Sequence, residues 1–424
     1  MEQATYRKVM ARVVLPLAIL IVLSSIDRVN VSFAAIHMNG DIGLDPKSYG
    51  LGVGIFFAGY LLFQLPSAAL LRRIGARAWI TGSVIGWGAT AAAMGAIQTP
   101  THFYLLRFLL GVFESGFAPG VVWYVSTWLP QAYRARAIAL TMLAIPTSVI
   151  IGGPLCGALM SLDTGGIDAW RVMFIVEGVA TVAAGIAAWF WFVDQPGQAR
   201  WLAGEERESV EAALAAEQAA VGQREVAPMA LVLRDPILWL SAGLWFVLIT
   251  GANAIIFWLP IAIRSLGLTD PLEIGVLSAL PWVAIGAGML FNARHSDRSG
   301  ERYLHLGVPT FFAAILLVAA ALAIGNGPLA LGLLMLAGFG LGSAQSVFWT
   351  IPTRFVGARN PSAIATINLF GNASGAVAPI AIGWIVATTG SVAIPGYVLA
   401  ALLFAGAALV IPLRRAGNAR ERVQ

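Results

Sequence analysis

The chain has 424 residues and a net charge of +5, and 58% of its residues are hydrophobic while only 11% are charged. Soluble domains carry about 25% charged residues, and a soluble fold of this length could not bury so much apolar surface. The composition therefore excludes a soluble enzyme, a nucleic-acid-binding protein and a disordered scaffold, and it indicates a polytopic membrane protein.

Apolar stretches of about 20 residues recur along the chain, and each is long enough to cross the hydrocarbon core of a bilayer as a helix. We predict an all-α membrane protein with 12 transmembrane helices in two six-helix repeats. The domains are an N-terminal bundle (1–193), a linker (194–235) and a C-terminal bundle (236–424). Spans 1 to 12 cover residues 12–36, 48–71, 78–98, 102–129, 136–160, 170–193, 237–263, 273–293, 303–325, 328–351, 361–388 and 393–413.

The linker is the long polar stretch of the sequence, with several glutamates on an Ala-rich background. This pattern predicts a short solvated helix that tethers the two halves. With both termini and the linker on one side of the membrane, that side carries 21 of the 26 Lys and Arg residues, against three on the other side. Such an excess marks the cytoplasmic side. We therefore predict a multi-pass protein of the cell (inner) membrane with cytoplasmic termini, whose positive charge needs no nucleic-acid partner.

Equivalent loops of the two halves share a spacing. Residues 72–77 follow span 2, residues 297–302 follow span 8, and both contain R-x-G-x-R. We interpret the match as an internal repeat, the plan of a rocking transporter with its binding site between the halves. The alternative is two ordinary positively charged loops. The predicted gate motif comprises Arg73, Arg77, Asp297, Arg298 and Arg302.

Further motifs recur along the chain. They are Asp27-Arg28-Val29-Asn30 with Phe33-Ala34 in span 1, residues 75–80 opening span 3, residues 106–117 in span 4, residues 134–137, residues 199–202 and the loop 297–302. Over nearly the whole chain they resemble the anion:cation symporter family of the major facilitator superfamily. The resemblance implies proton-coupled uptake of organic anions such as sugar acids, tartrate, phthalate or hydroxyphenylacetate. Arg72 stands where the superfamily often has an acidic residue, which implies that the second half alone carries the charge relay of the gate.

Four ionisable residues lie deep within spans 1 and 4, where each charge is costly and asks for a partner or a function. Arg28 offers a planar fork that fits a substrate carboxylate, and Asp27 and Glu114 can exchange protons. Arg107 lies two turns from Glu114 on one helical face and is expected to switch between Glu114 and the substrate. The resemblance supports these positions. The alternative is a set of static salt bridges, although buried pairs often contribute little to stability.

Glu177 in span 6 is expected to form a structural pair near the outer surface and is left out of the site. Other polar and aromatic side chains could complete the binding cavity, and Tyr60 matches a binding position of the family. The same amides and indoles could instead hold helices together. The candidate substrate-binding residues are Arg28, Tyr60, Arg107, Asn253, Gln345, Trp349, Asn368 and Asn372.

The sequence thus predicts a proton symporter that imports an organic carboxylate by alternating access. We expect no enzymatic activity, no metal site, no cofactor besides the coupling protons, and a monomer. A proton-coupled exporter of cationic or neutral compounds is one alternative, although Arg28 and Arg107 disfavour a cation site. A membrane sensor that binds organic acids without transporting them is another, although no output domain is visible.

Overall fold

The fold is helical throughout the part of the chain that the computed structural model describes, residues 2–221, 227–265, 267–360 and 362–422. In these ranges, ten helices are long and apolar enough to cross a membrane. Helices Ala76–Met94 and Gln131–Met160 occupy the positions of predicted spans 3 and 5. The prediction of an all-α membrane protein is therefore confirmed. Residues 222–226 of the predicted linker, with Arg224, lie outside the described residues.

The observed helices extend most predicted spans at one or both ends. Spans 1 to 6 correspond to Gln3–Asp41, Pro46–Ile74, Ala76–Met94, Pro100–Glu114 with Phe117–Trp128, Gln131–Met160 and Ala169–Trp191. Spans 7 to 12 correspond to Pro236–Ser265, Pro271–Ser299, Tyr303–Leu322, Gly327–Phe348, Ser362–Thr389 and Ile394–Glu421. Short helices Pro196–Gln198, Gly204–Val221 and Met229–Val232 lie between spans 6 and 7, and Thr350–Pro352 with Thr353–Gly357 follows span 10.

Several spans, among them spans 4, 8 and 10, begin with a side-chain cap and a proline in the first turn. The side chains of Thr99, Asp270 and Asn326 accept hydrogen bonds from backbone N–H groups of spans 4, 8 and 10. Capping satisfies donors that the first turn of a helix leaves unpaired. Proline fits at this point because its missing N–H would have no partner there. The local sequence therefore sets where these helices start.

Span 4 is interrupted at Ser115 and Gly116, whereas the sequence predicts one continuous helix. Trp79 of span 3 donates its indole N–H to the Gly116 carbonyl at 3.1 Å. A Cβ at Gly116 would overlap with the Trp79 ring, so only glycine allows this approach. Because the first helical piece ends at Glu114, the break lies beside one of the predicted proton carriers.

The chain divides into two compact units. The first comprises Met1–Asn30, Ala58–Ile151 and Asp163–Glu225, and the second comprises Val31–Phe57, Gly152–Leu162 and Val226–Gln424. In the first unit, span 3 packs along span 6. The linker helix Gly204–Val221 is attached to this unit by ion pairs from Lys8 to Glu206 at 2.6 Å and from Arg134 to Glu217 at 3.1 Å. The bundle limits 1–193 and 236–424 stay predictions.

In the second unit, spans 8 and 10 cross at backbone contact. A Cβ at Gly288 would overlap with the Phe339 carbonyl oxygen, and one at Gly342 would overlap with the Ile285 carbonyl oxygen. Small residues allow membrane helices to approach this closely. The crossing therefore depends on glycine at both positions.

We expect Gly288→Ala and Gly342→Ala each to destabilise the protein by ~1–3 kcal/mol, since overpacking must push the helices apart. The measurement is the melting temperature of the purified protein in detergent. Gly286→Ala is the matched control, because a Cβ at Gly286 meets no atom within 4 Å. Equal melting temperatures for all three variants would contradict the close crossing.

Candidate functional site

Asp27 and Arg28 are adjacent in span 1 but face different neighbours. Consecutive residues of a helix point about 100° apart. Asp27 is 2% exposed and accepts a hydrogen bond at 2.8 Å from the Thr181 hydroxyl of span 6. Arg28 instead forms an ion pair with Glu114 of span 4. The side chains of Asp27 and Arg28 thus lie on two different faces of one helix.

Arg28 is the accessible member of its ion pair. Its side chain is 32% exposed, whereas that of Glu114 is 1% exposed. The Tyr60 ring completes this cluster, with its centroid 5.9 Å from the guanidinium carbon. That distance lies within the range of a cation–π interaction. The structure therefore brings together three of the predicted site residues, Arg28, Tyr60 and Glu114, in one cluster around a partly buried guanidinium.

The two oxygens of the Glu114 carboxylate differ in their hydrogen bonding. Its Oε2 accepts from Arg28 and, at 3.4 Å, from the Ser24 hydroxyl. Its Oε1 is buried and has no hydrogen-bond partner in the described structure. A buried acceptor without a donor is costly when it carries charge. Arg28 and Ser24 therefore provide the hydrogen bonds seen at this buried carboxyl group.

Arg107 is 1% exposed and lies in the same helical piece as Glu114, Pro100–Glu114. The predicted placement of both side chains towards the protein interior agrees with their burial. A substrate does not reach this guanidinium from solvent in the observed arrangement. The expected switch of Arg107 between Glu114 and substrate stays a prediction, and it requires the side chain to become accessible.

Thr181 of span 6, which the sequence analysis did not single out, lies against the other face of span 1 together with Glu177. Glu177 is 6% exposed and accepts from the Asn30 amide at 2.8 Å. Thr181, one turn further along span 6, bonds Asp27. Glu177 therefore has the expected partner, but it lies in the interior of the bundle beside Asp27. The sequence does contain a pattern that points to this contact. Asp27 and Asn30 are spaced i,i+3 on span 1, and Glu177 and Thr181 are spaced i,i+4 on span 6.

The amides predicted in the C-terminal half largely bond neighbouring helices. Asn253 is buried and donates to the Ser374 hydroxyl at 3.3 Å. Gln345 donates to the Leu248 carbonyl at 3.4 Å. Asn368 is exposed and Asn372 is partly exposed. Asn253 and Gln345 thus hold helices together in this arrangement, and the other two amides are more accessible to a ligand.

Trp349 belongs to an aromatic group that the sequence did not reveal. Trp245 of span 7 stacks on Phe348 with a centroid distance of 4.6 Å and meets Trp349 edge-on at 4.8 Å. A Cβ at Gly371 would overlap with the Trp245 ring. This platform gives the second unit a rigid apolar surface next to the polar side chains of spans 10 and 11.

The two predicted gate loops share a backbone feature. Gly75 and Gly300 follow spans 2 and 8 with φ of 86° and 69°, a region that favours glycine. Their ψ values differ, at 163° for Gly75 and −2° for Gly300, so the internal repeat stays a prediction. Arg73, Asp297 and Arg298 are exposed. In the second loop, Arg302 donates to Asp297 at 2.7 Å.

The first gate loop obtains a carboxylate from a distant segment. The Arg77 backbone N–H donates to Asp194 at 2.9 Å, and the Arg77 side chain donates to the Trp189 carbonyl at 2.7 Å. Asp194 therefore brings a carboxylate to this loop, at the start of span 3. Sequence reasoning missed it because Asp194 is 117 positions from Arg77.

A cavity of about 400 Å³ lies in the second unit. Its lining is mostly apolar and includes Trp258, Leu331 and Val386, while the charged candidates of the first unit are not part of it. An apolar wall offers no counter-charge for a carboxylate. The cavity therefore does not replace the Arg28 cluster as the candidate site.

The sequence model of the Major Facilitator Superfamily matches residues 17–379. A putative tartrate transporter of Agrobacterium vitis is 38% identical over 421 residues, covering 98% of this chain and 92% of the relative. A quinolone resistance transporter of Acinetobacter baumannii is 35% identical, covering 96% and 94%. The crystal structure of a D-xylose–proton symporter superimposes with a TM-score of 0.75 over 94% of this chain and 96% of that chain. At 13% identity, this last likeness concerns the fold alone.

Proposed function

Because this chain belongs to the Major Facilitator Superfamily, and is thus a multi-pass membrane transporter and not an enzyme, we propose that it imports an organic carboxylate with protons by alternating access. The observation that carries the proposal is the partly buried Arg28 side chain, paired with buried Glu114 and flanked by Tyr60. The name of the 38% identical relative, a putative tartrate transporter, supports an organic acid as substrate.

Substrate binding is coupled to proton binding through exchange of the Arg28 partner. An incoming carboxylate competes with Glu114 for the guanidinium fork. Glu114 then loses the cation that stabilises its charge in a buried position, and protonation becomes favourable. The proton and the acid therefore enter together, without any covalent chemistry.

The other predicted roles complete this proposal. Asp27 is a second proton carrier, Arg107 is the counter-charge that becomes available during the cycle, and the second half supplies amides and indoles for the rest of the substrate. The transporter lies in the inner membrane with cytoplasmic termini and acts as a monomer that uses no cofactor besides protons.

The test is uptake by proteoliposomes with an imposed pH gradient. The panel of acids comprises tartrate, gluconate, phthalate and 4-hydroxyphenylacetate. With the outside one pH unit more acidic, we expect at least one acid to accumulate about tenfold for each coupled proton, because one pH unit corresponds to 1.36 kcal/mol. A protonophore should abolish the accumulation. Failure of every panel acid to accumulate would contradict the proposal.

Proton-coupled export is a second candidate, and the 35% identical relative named as a quinolone resistance transporter favours it. The same vesicles separate the two directions. An exporter concentrates its compound inside vesicles only when the vesicle interior is the more acidic side. The two mid-span arginines, Arg28 and Arg107, favour an anionic compound in either direction of transport.

A further inference from the structure

Two hydrogen bonds connect spans 1 and 6 in the interior of the first unit. Thr181 donates to Asp27 at 2.8 Å, and Asn30 donates to Glu177 at 2.8 Å. Asp27 and Asn30 share one face of span 1, and Glu177 and Thr181 share one face of span 6. The Asp27 and Glu177 carboxyls thus lie about one helical turn apart across this contact and within electrostatic reach of each other.

The charges of this core do not balance when every group is ionised. The described mid-span residues of the first unit include three acids, Asp27, Glu114 and Glu177, and two bases, Arg28 and Arg107. One negative charge is therefore left over in an apolar region. Unbalanced charge within the membrane is strongly unfavourable, and a proton on one carboxyl removes it.

A buried oxygen atom of Asn30 that lacks a hydrogen-bond donor in the described structure lies in the same contact between spans 1 and 6. Asn30 is 0% exposed, and its Oδ1 has no hydrogen-bond partner among the described residues. If the amide were flipped, Oδ1 would instead face the Glu177 carboxyl, which can donate a hydrogen bond only when it is protonated. The amide oxygen therefore gains a donor from this pair only in the flipped orientation and with the Glu177 carboxyl protonated.

We propose that Asp27 and Glu177 form a two-carboxyl site that holds one proton between them and releases it in each transport cycle. The inference rests on the proposed proton symport and adds Glu177 to the coupling site. Like charges this close disfavour double ionisation, so the pair acts as one proton-binding unit. The step forms one carboxyl O–H bond on one side of the membrane and breaks it on the other.

The neighbours of the pair are consistent with a shared proton. The Trp87 indole of span 3 neighbours Asp27. Glu114 adds a further negative potential at Asp27. The polar, titratable and charged groups of this core, from spans 1, 2, 3, 4 and 6, are Asp27, Arg28, Asn30, Tyr60, Trp87, Arg107, Glu114, Glu177 and Thr181.

The decisive variant is Glu177→Gln. Glutamine accepts from the Asn30 amide as glutamate does and also donates to its oxygen, so a merely structural role is preserved. The variant leaves two acids and two bases, and the core is then neutral without a bound proton. We expect the number of protons transported per acid molecule to fall by one. This number is obtained from the pH gradient at which net flux stops against an opposing gradient of the acid. The acid used is the panel acid with the fastest uptake.

Three further variants make the test specific. Glu177→Asp keeps a carboxyl and should keep the wild-type proton number, and exposed Glu273→Gln controls for the substitution itself. Asp27→Asn should also lose one proton, and the double variant Asp27→Asn/Glu177→Gln should lose no more than one because the proton is shared. An unchanged proton number in Glu177→Gln, or a loss of two in the double variant, overturns the inference. A wild-type protein that accumulates no panel acid overturns the proposed function instead.

Discussion

Replacing Arg28 with glutamine is expected to weaken binding of the transported acid by at least about 30-fold. Removing one member of a buried, hydrogen-bonded charge pair costs about 2–5 kcal/mol, and the same guanidinium is the proposed ligand of the substrate carboxylate. Arg28→Lys should restore little, because an ammonium lacks the fork that engages both carboxylate oxygens. The measurement is equilibrium binding of the acid to purified protein, followed by uptake in proteoliposomes.

A double variant distinguishes binding from folding in this experiment. Arg28→Gln leaves Glu114 buried without its cation and should lower the melting temperature, whereas Arg28→Gln/Glu114→Gln removes both charges and should recover stability but not acid binding. Exposed Arg415→Gln is the control for loss of one positive charge. Wild-type affinity in Arg28→Gln would exclude this guanidinium as the substrate ligand.

The sequence predicted the fold because the bilayer requires an apolar segment of fixed minimum length for every span. Apolar runs long enough to cross a bilayer located the spans, because an unpaired backbone cannot lie in lipid. The interruption at Gly116 escaped prediction because the run of apolar residues continues across it. Its cause is the packing of Trp79 against the Gly116 backbone, which is a tertiary contact that no local pattern reports.

The candidate site was predictable in its residue types but not in its pairing. Charges in mid-span identified Asp27, Arg28 and Glu114, since polar residues there are rare without a reason. Which neighbour each side chain faces depends on how spans 1, 4 and 6 are rotated about their axes, and the sequence does not give this rotation. The distance of Glu177 from the end of its helix gives its depth but not the side that it faces.

The second prediction with a large effect concerns Asp27→Asn and Glu114→Gln. Each removes one proton carrier while keeping a polar side chain of similar size. With the outside one pH unit more acidic, each single variant should accumulate the acid about tenfold less than the wild type, because each lost proton removes 1.36 kcal/mol of driving force. The double variant should show no accumulation above equilibrium.

Exchange of labelled for unlabelled acid separates coupling from binding in these variants. Arg28 is unchanged, so the double variant should still exchange acid across the vesicle membrane without any pH gradient. Such a result means that the carrier moves its substrate but no longer draws on the proton gradient. Normal pH-driven accumulation in both single variants would remove Asp27 and Glu114 as carriers. Loss of exchange together with accumulation would instead assign the two carboxyls to substrate binding or to the conformational change, because a lost coupling proton leaves exchange intact.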